Sequence, residues 1–252
     1  DRGRVAAVEI IHVSDYNTGL SALQSGQVDA AYANNILSDP SRRAQVENAG
    51  FVVEDNENLN THGIYLRSTR SELADVRVRQ ALAHAIDRDA INESLFFGTC
   101  KPTSQPFASV LPAHVPDYDP FAYDPAKARE LLASAGLPGG FSMNIVTVTG
   151  NPTSEQNAAV VQQMLGEIGV QVTLTPMTSP DGAAAFNRGE VDARSTVIAA
   201  RADSLSTIDY YFTPGGVAAL ADPGGEELVA LRKQLEQAPA DQRDDALREM
   251  GR

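Results

Sequence analysis

The 252 residues carry 33 acidic against 20 basic side chains, a formal charge of -13, with 42% hydrophobic residues. That length buries a sizeable core in one or two domains, and the acidity sets aside a nucleic-acid backbone as partner, because affinity there comes from clustered Lys and Arg. No apolar run approaches the roughly 20 residues of a membrane span, and the lone Cys100 excludes an internal disulfide framework or a cysteine-rich zinc site. The negative balance suits a cationic or zwitterionic ligand, and it suits plain solubility equally well.

In chain order, Asp1-Arg2-Gly3-Arg4 lacks the apolar stretch of an export signal, and both ends of the chain are expected to be cut points. Residues 5–13, 29–33, 51–54 and 63–66 read as strands. The run ALQSGQVDAAY from Ala22 to Tyr32 returns as AFNRGEVDARS from Ala185 to Ser195. Each copy places Gly26 or Gly189 where a helix closes in the left-handed conformation, then opens a strand with Val-Asp-Ala. Strand, helix, strand is the unit of a parallel sheet with covering helices, so two copies suggest two α/β lobes.

In residues 73–97, Val78, Leu82, Ala85 and Ile86 recur at helical spacing, and Asp87 is placed to cap a second helix carrying Ile91 and Leu95. A buried helix pair follows, with His84 as a packed or surface histidine. Prolines at 102, 106, 112, 116, 120 and 125 then forbid helix or central strand and predict a long ordered excursion. Asp124-Pro125 starts a helix with Ala128, Leu131, Leu132 and Ala135 on its apolar face. A strand over residues 141–149 ends at Gly150-Asn151-Pro152, and Thr153 or Ser154 is expected to cap the next helix, whose buried face is Ala158, Val161, Leu165 and Ile168. Strands over 170–176 and 195–199 follow, and two amphipathic helices close the chain, with Leu228, Leu231 and Leu235 toward the core.

Catalytic signatures are missing: there is no Gly-x-Ser-x-Gly, phosphate-binding loop, dinucleotide fingerprint or His-Glu-x-x-His. His12, His62, His84 and His114 have no metal-ligand spacing, and Asp117, Asp119 and Asp124 lack the regular loop of a calcium site. Neither a metal nor a cofactor is expected. Binding groups are better supplied, since three segments are expected to leave carboxyl edges of strands, where ligands of α/β sheets bind. These are Tyr32 with Asn34 and Asn35, then Thr149, Gly150 and Asn151, then Arg201, Asp203 and Ser204. An aspartate at such an edge can hold an ammonium group through a charge-assisted hydrogen bond. Asp203 can equally cap a helix over residues 205–211.

The stretch LADVRVRQALAHAIDRDAI from Leu73 to Ile91 resembles the most recognisable motif of the family 5 extracellular solute-binding proteins, the binding components of peptide, nickel and related ABC importers. ALQSGQVDAAY before it, GIYLRS at the family's crossing strand, and YDPAKARELLASAGLPGGF after the proline-rich excursion agree in order. The resemblance implies an α/β fold of the type II periplasmic-binding-protein kind, two lobes closing on a ligand. Members are roughly twice as long, so it also implies a truncated portion with one nearly complete lobe. Residues 1–66 would be a remnant of lobe one with its hinge strand, and residues 67–252 the second lobe.

Asp203 falls where peptide-binding members hold a ligand's α-amino group, and Arg201-Ala202-Asp203 is similar to members taking glutathione or opine-type solutes. The family's usual Trp three residues earlier is Ala200 here, and the Arg and Tyr of dipeptide binders are missing at 149–151. The implied function is an extracytoplasmic or periplasmic, non-enzymatic binding component that delivers a peptide-like or other small polar solute to ABC permease subunits in the membrane. A fragment of this kind would expose the apolar surface of its missing parts or bury it by self-association. The alternative is an α/β enzyme whose catalytic residues lie outside the 252 residues.

Overall fold

The computed structural model describes residues 6–11, 13, 16–32, 37–55, 59–199, 203–211, 225–239 and 242–251. These fall into two compact units, Asp1–Asn56 and Glu57–Arg252. The first holds helices α1 (Tyr16–Gln24) and α2 (Pro40–Asn48). Asp39 caps α2 by accepting from the Ser41 amide at 2.8 Å, with Pro40 at the first helical position. Where the strands expected at 5–13, 29–33 and 51–54 fall on described residues, no strand forms. Their β-like composition is not enough, because a strand exists by pairing. Val8, Ile10, Ile11 and Val52 stand exposed there.

The second unit is built on a four-stranded sheet of order β1-β4-β2-β3, with β1 (Thr61–Leu66), β2 (Ser142–Val148), β3 (Gln171–Met177) and β4 (Ala193–Ile198). β2 runs parallel to both β3 and β4, and β1 runs antiparallel to β4 with Tyr65 opposite Arg194. The compact units divide at Asn56 and Glu57, and the crossing strand β1 lies in the second, held by six register pairs to β4.

Helices α3 (Val76–His84), α4 (Arg88–Phe96), α5 (Pro125–Ser134) and α6 (Pro152–Glu167) accompany one core, where Val78, Leu82, Ala128, Leu132, Val161 and Leu165 meet Ile145 and Ala193 of the sheet. Helix α7 (Ser179–Arg188) contributes Ala185 and Phe186, and α8 (Ser204–Tyr211) contributes Tyr211, to a second core with Tyr65 and Val146. Alternate residues of a strand point to opposite faces, so Ile145 and Val146 serve the two cores in turn. A third core joins Phe107, Leu111 and Ala113 of the excursion to Ile208 of α8, Leu231 and Leu235 of α9 (Gly225–Gln237) and Leu247 of α10 (Arg243–Gly251). The Leu228 side chain lies outside the described residues.

Asp87 and Asp124 cap α4 and α5 as the sequence predicts, accepting from the amides of Ala90 and Lys127. At α6 the cap is Asn151, whose Oδ1 accepts from the Ser154 amide at 3.0 Å, rather than Thr153 or Ser154. Pro152 supplies the first helical φ, and the Ser154 hydroxyl is used elsewhere, donating to Ser195 O and accepting from the Val148 amide. Gly189 ends α7 at φ +82 as expected, and Gly26 after α1 sits at φ +74.

The helix block and the excursion form one device. Arg88 donates to Phe121 O and Ala83 O, the His84 ring nitrogen lies 2.8 Å from Ala122 O, and the Asp124 amide donates to His84 O. Gln105, buried, donates to Val115 O and Tyr118 O and accepts from the Val115 amide. These bonds replace regular structure along a segment whose prolines forbid it.

Candidate functional site

Because β2, β3 and β4 point the same way, the turns leaving them gather at one sheet edge. Thr149, Gly150 and Asn151 leave β2, Thr178 leaves β3, and Ala199 leaves β4. In a parallel sheet this carboxyl edge is where ligands bind. Thr149 and Gly150 are exposed there and Asn151 is half-buried. The Thr149 amide donates to Met177 O at 2.9 Å, which ties the β2 turn to the end of β3.

Asp203 caps α8. One carboxylate oxygen accepts from the Ser206 amide at 2.8 Å and the other from the Ser206 hydroxyl at 2.9 Å. The amide first, and then the hydroxyl, hold its carboxyl below the usual carboxylate range, so it is ionised at neutral pH. Each oxygen retains a second acceptor site, and the side chain is exposed. Capping and ligand contact are therefore compatible on one carboxylate.

Ser204, named with Asp203 from the sequence, is placed differently. It is 1% exposed, and its hydroxyl accepts from the Ala113 amide of the excursion at 3.2 Å. Its polar group is consumed in fixing the start of α8, so it presents nothing to solvent. Arg201, Asn34 and Asn35 lie outside the described residues. Tyr32 is exposed in the first unit. Of the sequence candidates, Thr149, Gly150 and Asn151 thus share the turn leaving β2, and Asp203 stands at the start of α8.

Sequence reasoning passed over two acids at the same edge, Glu155 and Asp181. Glu155 accepts from the Gly150 amide at 3.3 Å, and Asp181 accepts from the Thr178 hydroxyl at 2.6 Å. Their signal is the first turn of a helix that follows a parallel strand, where acids favour the dipole. They make the edge at β2 and β3 anionic and rich in acceptors, which suits an ammonium group better than a carboxylate. Among the described residues no group of three His, Cys, Asp or Glu side chains is arranged to hold a metal ion.

An open α/β sheet with a charged, hydrogen-bonding carboxyl edge is an architecture that places small-molecule sites at that edge. The chain belongs to the bacterial extracellular solute-binding proteins, family 5 Middle, which match it over residues 1–218. It is 33% identical over 174 residues to the glutathione-binding protein GsiB of Pectobacterium atrosepticum, covering 68% of this chain and 33% of that protein. GsiB of Escherichia coli strain K12 is 30% identical over 179 residues, with the same shares of 68% and 33%. Among solved structures, HbpA2 of Haemophilus parasuis superposes with a TM-score of 0.76 at 26% identity, over 94% of this chain and 48% of that one. DppA of Helicobacter pylori, in complex with the peptide STSA, has the same fold at a TM-score of 0.81 and 21% identity, over 95% of this chain and 47% of that one. The chain thus spans about a third of the length of these curated relatives and about half of these solved chains.

Proposed function

We propose that this chain is the ligand-binding portion of an extracytoplasmic component of an ABC importer. It takes a small polar or peptide-like solute with a free amino group, performs no bond chemistry, and hands the solute to permease subunits in the membrane. In this reading the second unit is one lobe of a two-lobed protein, and the solute favours that protein's closed arrangement by its differential affinity for it. What supports the reading is the Asp203 carboxylate, ionised and exposed at the start of α8 in a family 5 chain, and the reading joins to it Thr149, Gly150 and Asn151 at the carboxyl end of β2. The likeness to glutathione-binding relatives makes γ-glutamyl or other small peptides the first solutes to test.

The test is native mass spectrometry of the full-length protein purified from its host, followed by calorimetric titration of the unloaded protein with glutathione and with short peptides. A retained or titrated amine-bearing solute is the expected result. Protein that carries no solute and binds none of these overturns the reading.

A further inference from the structure

Phe97 ends α4 at φ 53 and ψ 36, in the left-handed region. That position at a helix end is usually glycine or asparagine, and a bulky side chain there is an outlier. Gly98, at φ +72, stands one residue too late to relieve it. The ring is not buried in exchange. Phe97 is 49% exposed, whereas the neighbouring Phe96 is 8% exposed and takes the packing role, its ring tilted 6.3 Å from that of His62.

The conformation is imposed by its surroundings. Asn92, itself buried, donates from Nδ2 to Cys100 O and accepts at Oδ1 from the Cys100 amide, clamping the far end of the loop. The amides of Phe97 and Gly98 share Asn92 O, and the Thr99 amide donates to Phe96 O at 3.0 Å. A strained, over-determined backbone that presents an aromatic ring to solvent is a pattern of binding sites rather than of cores.

Its place in the sheet gives the ring an occupant. His62 pairs with Val197, one step inside Ile198, the last residue of β4. Through the ring pair of Phe96 with His62, the end of α4 therefore lies near the carboxyl end of β4. The chain contains no tryptophan, so any aromatic wall at this edge comes from another residue type.

We propose that Phe97 is a solute-contacting aromatic, held rigid by Asn92 so that its ring packs on the apolar part of the solute whose amino group Asp203 holds. This rests on the solute-binding reading above. A rigid aromatic loses little freedom on contact, so its packing appears almost fully as affinity.

The experiment uses the full-length protein and two variants, Phe97→Gly and Phe97→Ala. Glycine suits the left-handed position and alanine does not, while both lose the ring. Native mass spectrometry reads the fraction carrying host-derived solute, calorimetry reads glutathione binding by unloaded protein, and a melting curve reads stability. The expected result is a weakening of about tenfold in both variants, with Phe97→Gly melting at or above the parent temperature. Undiminished binding by Phe97→Gly overturns the assignment while leaving the solute-binding reading intact. Undiminished binding with a lowered melting temperature assigns Phe97 to packing and overturns it as well. A parent protein that neither retains solute nor binds glutathione removes the underlying reading, and this inference with it.

Discussion

Asp203 carries two demands on one side chain, and substitution separates them. Asp203→Asn keeps an oxygen that accepts from the Ser206 amide, so helix capping and melting temperature change little. The charge is lost. An amine-bearing solute should then bind more weakly by about 2 kcal/mol or more, at least tenfold, in calorimetric titration of the full-length protein. Equal affinities for parent and variant would reduce Asp203 to a structural cap. His62 gives a second prediction at this scale. Burial, with Phe96 against its ring, holds its pKa below the ordinary 6.5, so between those values the unfolded chain binds the proton more readily than the folded one. Its share of stability is thus intact above about pH 6.5 and declines as the pH falls through the folded value. Urea unfolding of parent and His62→Gln from pH 7.5 down to pH 5 should show a shallower pH dependence in the variant; parallel curves would count against it.

Among the elements, caps and periodicities were legible because they are local. Asp87, Asp124 and Gly189 announce their roles within four residues of sequence. The α6 cap was misread because Asn151, Thr153 and Ser154 all have capping side chains, and only the long-range bond from Ser154 to Ser195 O shows which oxygen is left for the job. Ser204 failed as a site residue for the same reason, since Ala113 lies 91 positions away. Pairing of β1 with β4 across 127 to 137 positions, and the failure of the expected strands of the first unit to form, likewise depend on neighbours that no local pattern names. The Phe97 backbone was silent because Phe-Phe-Gly reads as an ordinary helix end. The element most sensitive to substitution is the turn before β2. A Cβ on Gly140 would lie 2.0 Å from Gly169 O, and its φ of +77 disfavours any side chain. Gly140→Ala should cost about 3 kcal/mol or more, read as a collapse of the urea midpoint or failure to fold. Gly139→Ala, with nothing within 4 Å of its Cβ, should stay within about 0.5 kcal/mol. Similar midpoints for the two would refute the close approach.

At the scale of the whole molecule, a charge of -13 opposes association while exposed apolar residues favour it. Val8, Ile10, Ile11 and Val52 of the first unit stand exposed in segments that form no strand. Exposed apolar side chains of β-like composition favour association with another chain. The 252-residue chain should therefore self-associate, more strongly as salt screens its charge. Light scattering coupled to gel filtration checks this, and Ile10→Lys with Val52→Lys should restore monomer. A parent chain that stays monodisperse and monomeric at high salt would show that these residues are harmless.

The reciprocal bonds between Ser154 and Ser195 have a consequence for recognition. Each hydroxyl donates to the other residue's carbonyl at 3.0 Å, joining the start of α6 to the middle of β4. The Ser154 hydroxyl also takes the Val148 amide just before the turn of Thr149, Gly150 and Asn151. The β2 turn is thereby stitched to the strand that leads toward Asp203. On the proposed solute-binding reading, these bonds restrict the β2 turn before a solute arrives, so docking there would forfeit less chain entropy and a solute would leave more slowly. Ser154, which touches no solute in this scheme, would then act on how fast a solute leaves.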